Sequence, residues 1–201
     1  MRIENEFQLR EIYGQPKGRA SKKTLSALEK HSKNFIAKSP FVVLSTVNDN
    51  GRLDASPRGG QPGFVKVVHD TEIVIPDFKG NNLVDSLINI SESGRIGMLF
   101  MIPGIDETLR VNGAAVITND EDVLDLAAED GKRPITCLRV HVEEVFLHCA
   151  KAFMRSKLWD ADAQVNPKDF PTMGQMLKDQ LNGTEEPESR EDMIKRYQKD
   201  L

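Results

Sequence analysis

Aromatic residues are scarce in this 201-residue chain, where Phe, Trp and Tyr together make up 6% and tryptophan occurs once. The chain also lacks a surplus of basic charge: its net charge is -4 and its pI is near 5.6. A nucleic-acid binder presents a basic face with stacking rings, so no nucleic-acid partner is expected. No apolar run approaches the roughly 20 residues that span a bilayer. The charged start MRIENEFQLRE has no hydrophobic region of a signal peptide, so the expectation is a cytoplasmic protein without a membrane partner. Cysteine is nearly absent, and with no export signal Cys137 and Cys149 are expected as free thiols and not as a disulfide.

At 39% hydrophobic composition the chain can form one substantial core, and two complete domains would be crowded. The stretch from Leu53 to Asn82, LDASPRGGQPGFVKVVHDTEIVIPDFKGNN, organises the rest. Alternating apolar residues over residues 64–68 and 72–75 predict two neighbouring strands, with Asp70-Thr71 as a two-residue hairpin connection. Arg58 sits beside a glycine-rich corner, and Lys79-Gly80-Asn81-Asn82 falls where a helix start would offer free backbone N–H groups. Such an arrangement can hold a phosphate. The same residue types also make ordinary solvated loops, and composition leaves both readings open.

Ahead of this stretch, Phe7, Leu9 and Ile12 fit a short helix over residues 3–13 ended by Gly14 and Pro16, and Ser21 can cap a helix running to about Ala37. Both are expected to pack over a barrel or sheet. FVVLSTV (41–47) is rich in β-branched residues and predicts the first strand, with a hairpin at Asp49-Asn50-Gly51 leading into residues 52–56. Beyond the focal stretch come a helix over about 81–91, strands over 95–101 and 108–118, an acidic helix from Asn119 or Asp120 to about Glu129, and a long strand over 136–147. Thr172 or Pro171 and Ser189 mark the starts of two tail helices, with residues 182–188 as a solvated linker. Six to seven strands joined mostly by hairpins favour an antiparallel barrel flanked by helices over a parallel sheet.

No G-x-S-x-G elbow, no G-x-G-x-x-G fingerprint and no metal-ligand spacing is present. Cys137 and His141 share strand parity and His148 adjoins Cys149, but neither pairing makes a ligand set, so no metal site is expected.

The runs SPFVVLSTVNDNGRLDASPRGGQPGFVKV, VIPDFKGNN, GRIGMLFMIPGIDETLRVNGAAVI and HCAKAFMRSKLW resemble the pyridoxamine 5'-phosphate oxidase-like family of FMN-binding split-barrel flavoproteins; LREIYGQP and PTMGQMLKDQ resemble one of its subfamilies. The resemblance implies a mainly β fold with flanking helices, a six-stranded antiparallel split β-barrel, and a homodimer with two FMN molecules at its interface. It places Arg58 near the flavin phosphate, Phe64 and Val65 along the ring through their backbone, and Ile75, Pro76 and Asp77 beside the ring and ribityl chain. Gly80, Asn81 and Asn82 would meet the phosphate, and Lys79 could supply a missing charge there. Arg110 stands where relatives offer the flavin a polar side chain, and Lys151, Arg155 and Trp159 follow the last strand, where the partner subunit contributes.

Two departures from the family pattern matter. Leu83 stands at or next to a position that is often basic, and MRSKLWD replaces the Arg-x-His of genuine pyridoxamine 5'-phosphate oxidases, so vitamin B6 synthesis is not expected. The expectation is an FMN-dependent oxidoreductase acting on a small-molecule substrate or electron donor. Residues 1–160 would form the barrel domain, and 161–201 a helical extension packed on the barrel or the partner. The alternatives on the same barrel are a non-catalytic flavin- or haem-binding protein, with His141 or His148 as axial ligand, and a deazaflavin-dependent reductase.

Overall fold

The structure, a computed structural model, describes residues 2–199. The strands are β1 (Phe41–Val47), β2 (Leu53–Gly59), β3 (Lys66–His69), β4 (Glu72–Asp77), β5 (Arg95–Met101), β6 (Thr108–Thr118) and β7 (Thr136–His148). They form one antiparallel sheet in the order β2-β1-β5-β6-β7-β4-β3. The count is thus seven and not the six that the resemblance implied, with the four-residue β3 pairing with β4 alone through the Asp70-Thr71 turn.

β2 and β4 are separated in this order by four other strands, yet Arg58 on β2 lies 3.0 Å from Asp77 on β4. A flat sheet cannot bring them together, so the sheet is rolled into a barrel that stays split between its two ends. Part of the curl has a local cause. The β6–β7 register shifts between Asn112 and Gly113, with Glu143 as the extra residue on β7, and Glu143 and Glu144 are exposed in succession where alternation would bury one. A bulge of this kind bends its strand and raises the twist. The split also explains two prolines: Pro57 lies on the edge strand β2, and Pro76 lies beyond Val74, where β3 stops pairing with β4. Neither position demands a ladder donor on its open side.

Inward residues of the strands, among them Val42, Leu44, Ile73, Phe100, Leu109, Leu138 and Val140, form the core. It is covered by Phe35 and Ile36 of α2 (Lys30–Lys38) and by Ile90 of α3 (Asp85–Ser93). A smaller outer cluster of Val74, Leu124, Ala127 and Cys137 lies under α4 (Glu121–Leu126). Both cysteines are free, and burial, aided by the charge of Asp77, pushes the Cys137 thiol up to about 11. It is an inert packing group.

Several helices differ from the expectations. Ser21 closes a short 3-10 turn, and α2 starts nine residues later, where the Glu29 carboxylate accepts from the N–H groups of His31 and Ser32 and is thereby held below its ordinary pKa. The intervening backbone is committed elsewhere: Leu25 exchanges hydrogen bonds with Val145 of β7, and the Leu28 N–H donates to Asp70. α1 (Glu6–Tyr13) forms with Asn5 as its cap, but it buries no residue, and Phe7, Ile12 and Tyr13 are exposed. α4 stops at Leu126, three residues short of Glu129. A helix not foreseen, α5 (Lys151–Ser156), follows β7. α6 (Met173–Leu181) and α7 (Arg190–Tyr197) start at caps supplied by Thr172 and Ser189, as their sequences predict. No helix among the described residues is long and apolar enough to cross a membrane.

Candidate functional site

A cleft of about 640 Å³ opens at the split of the barrel. Its walls are β2, the end of β4, the loop into α3, and Ile135-Thr136 at the entry to β7. The period of two along β2 turns Asp54, Ser56 and Arg58 to the same half-buried face, which lines the cleft. The Arg58 guanidinium is held on three sides. Nη1 donates to Ser56 Oγ at 2.7 Å and to the Pro57 carbonyl at 3.0 Å, while Nε donates to Asp77 Oδ1 at 3.0 Å. Nη2 lies 3.0 Å from the same Asp77 oxygen. Deeper along β2, Asp54 accepts from Ser86 Oγ of α3.

The loop from β4 to α3 is where structure and sequence part. The helix begins at Asp85 and not at Asn81, because Asn82 and Val84 take the left-handed conformation, at φ of 62° and 50°. Asn81 Oδ1 accepts from the Leu83 N–H at 3.1 Å, which fixes the turn. Gly80, Asn81 and Asn82 therefore meet the cleft as exposed loop backbone and not as a helical first turn. A β-branched residue at positive φ is a strained one, and such strain collects at ligand sites. Val84 is that residue here, and it lines the cleft.

Of the residues singled out in the sequence, Arg58, Pro76, Asp77, Gly80, Asn81 and Asn82 are brought together in the cleft. Phe64, Val65 and Ile75 are instead buried in the core, and Lys79 is exposed on the loop beside the cleft. Arg110 points outward from β6, with its guanidinium 5.3 Å from the centre of the Phe146 ring. Lys151 and Arg155 are exposed on α5, while the Trp159 indole donates to the Ile105 carbonyl at 3.0 Å and stacks on Phe153. None of these four lines the cleft of its own chain. The haem-ligand candidates His141 and His148 are exposed on β7, outside the cleft. Among the described residues no group of His, Cys, Asp and Glu is arranged to hold a metal ion.

Sequence reasoning missed Asp54, Ser56 and Thr136. Parity with Arg58 on one strand could have found the first two. Thr136 had no local signal: the residue lines the cleft, and its hydroxyl is buried with no hydrogen-bond partner among the described residues. A buried polar atom without a partner asks for one from a ligand or water.

The sequence model of the family described as Pyridoxamine 5'-phosphate oxidase matches residues 28–149, more than half of the chain. No curated protein matches it. Two crystal structures of HupZ from Group A Streptococcus, one of them a point variant, are similar. The variant has a TM-score of 0.51 at 18% identity, covering 60% of this chain and 99% of that one. The other scores 0.50 at 19%, covering 60% and 93%. A Lactobacillus delbrueckii structure provisionally named a pyridoxamine 5'-phosphate oxidase gives 0.46 at 19%, covering 62% and 98%. At such identities the likeness to HupZ speaks for the fold alone, and that fold agrees with the rolled, split sheet. With the family model spanning β1 to β7, this chain belongs to the pyridoxamine 5'-phosphate oxidase family.

Proposed function

We propose that the chain is a cytoplasmic, homodimeric, FMN-dependent oxidoreductase that holds its flavin in the cleft at the barrel split. The observation that carries this reading is Arg58: a guanidinium fixed by Ser56 and Pro57, turned into a cleft of about 640 Å³. That volume is within the range of cofactor pockets. The exposed backbone of Gly80, Asn81 and Asn82 adds polar groups suited to a phosphorylated polyol. Bound flavin would supply the hydride or electron chemistry. The chain's own residues bind, orient and shield it, and no acid or base is required of them.

Exposed Leu83 lies on the rim of the cleft, where a cation would favour phosphate. Leu83→Arg is expected to tighten FMN by about tenfold or more, the worth of one added charge-assisted contact, and to leave riboflavin unchanged. Fluorescence titration reads both, and an equal gain for the two ligands would count against a phosphate at this loop.

Arg110, Lys151, Arg155 and Trp159 are the residues we assign to the partner's flavin, because a two-fold interface presents the same surface from both subunits. The exposed apolar residues Leu177 and Leu181 of α6 and Ile194 of α7 support placing the 161–201 extension against the partner as well. FMN retention should then follow dimerisation. Light scattering combined with flavin fluorescence tests it: the Lys151→Ala, Trp159→Ala double variant should release FMN at least tenfold more readily. A monomer that keeps FMN tightly would rule out an interface site.

A further inference from the structure

We propose that Asp77 is the residue that sets how strongly this cleft depends on the phosphate of its ligand: it occupies Arg58, and a phosphate binds by taking its place. The inference rests on the FMN reading and adds a specificity-determining residue to it.

The contacts divide the work on Arg58 between two sets of partners. Ser56 Oγ and the Pro57 carbonyl hold Nη1 and fix where the guanidinium points. Asp77 takes Nε and Nη2 on a single oxygen, Oδ1, and neutralises the charge. The arginine's position thus survives loss of the Asp77 charge, while its availability to an anion rises. Both side chains are largely shielded, at 21% and 18% exposure, so the pair is screened less than a surface ion pair.

The rest of the cleft sharpens the competition. Its other ionisable lining residues are Asp54 and Asp85, both carboxylates; Arg58 is the cation of the lining. Asp54 is occupied by Ser86, and Asp85 has Arg52 at 3.5 Å. A phosphate entering here meets like charge unless Arg58 turns to it from Asp77. An asparagine at this position would keep a carbonyl oxygen for the Nε–H and remove only the charge.

The experiment measures FMN and riboflavin affinities, by quenching of flavin fluorescence, for the parent chain, Asp77→Asn, Arg58→Ala and the double variant. The quantity read is the preference for FMN over riboflavin, in which any contact of Asp77 with the shared part of the flavin cancels. Asp77→Asn should raise that preference about tenfold, as one charge-assisted hydrogen bond is released to the phosphate, and in the Arg58→Ala background it should rise clearly less, because only the relief of like-charge repulsion remains. An unchanged or lowered preference in Asp77→Asn overturns the proposal while leaving the FMN reading intact, and so does an equal rise without Arg58. A parent chain that binds neither flavin would overturn the FMN reading itself, and this inference with it.

Discussion

Arg58→Ala should weaken FMN by tenfold or more and lower the melting temperature by several degrees in the same variant. The two effects have different origins. Loss of affinity follows from removing a charge-assisted contact worth about 1.5–3 kcal/mol, which is roughly a factor of 10 to 150 in the dissociation constant. Loss of stability follows from what stays behind: Asp77, only 18% exposed, loses the partner that spans the split. A mostly buried group left unsatisfied costs about 1–3 kcal/mol. In a chain of this size that lowers the melting temperature by about 2–4 °C per kcal/mol. Arg58→Lys should fall between, since an ammonium keeps the charge but cannot reach Ser56, Pro57 and Asp77 with one planar fork. Adding Asp77→Asn to Arg58→Ala should recover most of the stability and little of the FMN affinity. FMN and riboflavin weakened to the same extent would count against the phosphate role.

This pairing also shows how far the sequence could be read. β1 was legible from its β-branched residues and the β3–β4 pair from its apolar alternation, and Asp70-Thr71 closes its hairpin as expected. The local pattern ended β2 at Ser56, which hid the parity of Asp54, Ser56 and Arg58, whereas the resemblance put Arg58 on this second strand, where the structure has it, in a strand running to Gly59. The start of α3 was misplaced because Asn82 and Val84 adopt positive φ, a choice made by the surrounding structure and disfavoured by the valine itself. The start of α2 was misplaced for a long-range reason: Leu25 is drawn into a bridge with Val145, 120 residues away, and Glu29 takes the capping role that Ser21 offered. Arg58 and Asp77 could each be named from sequence. That they neutralise each other depends on the roll of the sheet, which no local pattern encodes. The same holds for the separation of Arg110, Lys151, Arg155 and Trp159 from the cleft.

The roll itself can be attacked at one residue. Gly113 is buried on β6 beside the bulge of β7, and a Cβ built there would overlap the carbonyl of His141 and press on the N–H side of Glu143. Both obstacles are backbone, so neither can swing aside as the end of a flexible side chain would. The β7 backbone is also tied from its other side, where Val142 N–H donates to Thr71 at 2.9 Å in the turn between β3 and β4. Gly113→Ala must therefore push β7 off β6 or undo the bulge, and overpacking of this kind costs about 3 kcal/mol or more. The expected result is a melting temperature lower by about 6–12 °C at this chain length. The damage should reach the cleft, because β7 carries β4, and β4 carries Asp77 across the split to Arg58. FMN affinity should accordingly fall in Gly113→Ala even at temperatures where the variant is folded. Ala114→Gly, one residue along the same strand, serves as the comparison: it removes a methyl from a half-buried outward position and should cost about 1 kcal/mol with no change in FMN affinity. A Gly113→Ala variant that melts within about 2 °C of the parent would show that β7 can give way here, and that the bulge does not hold the barrel in its rolled form.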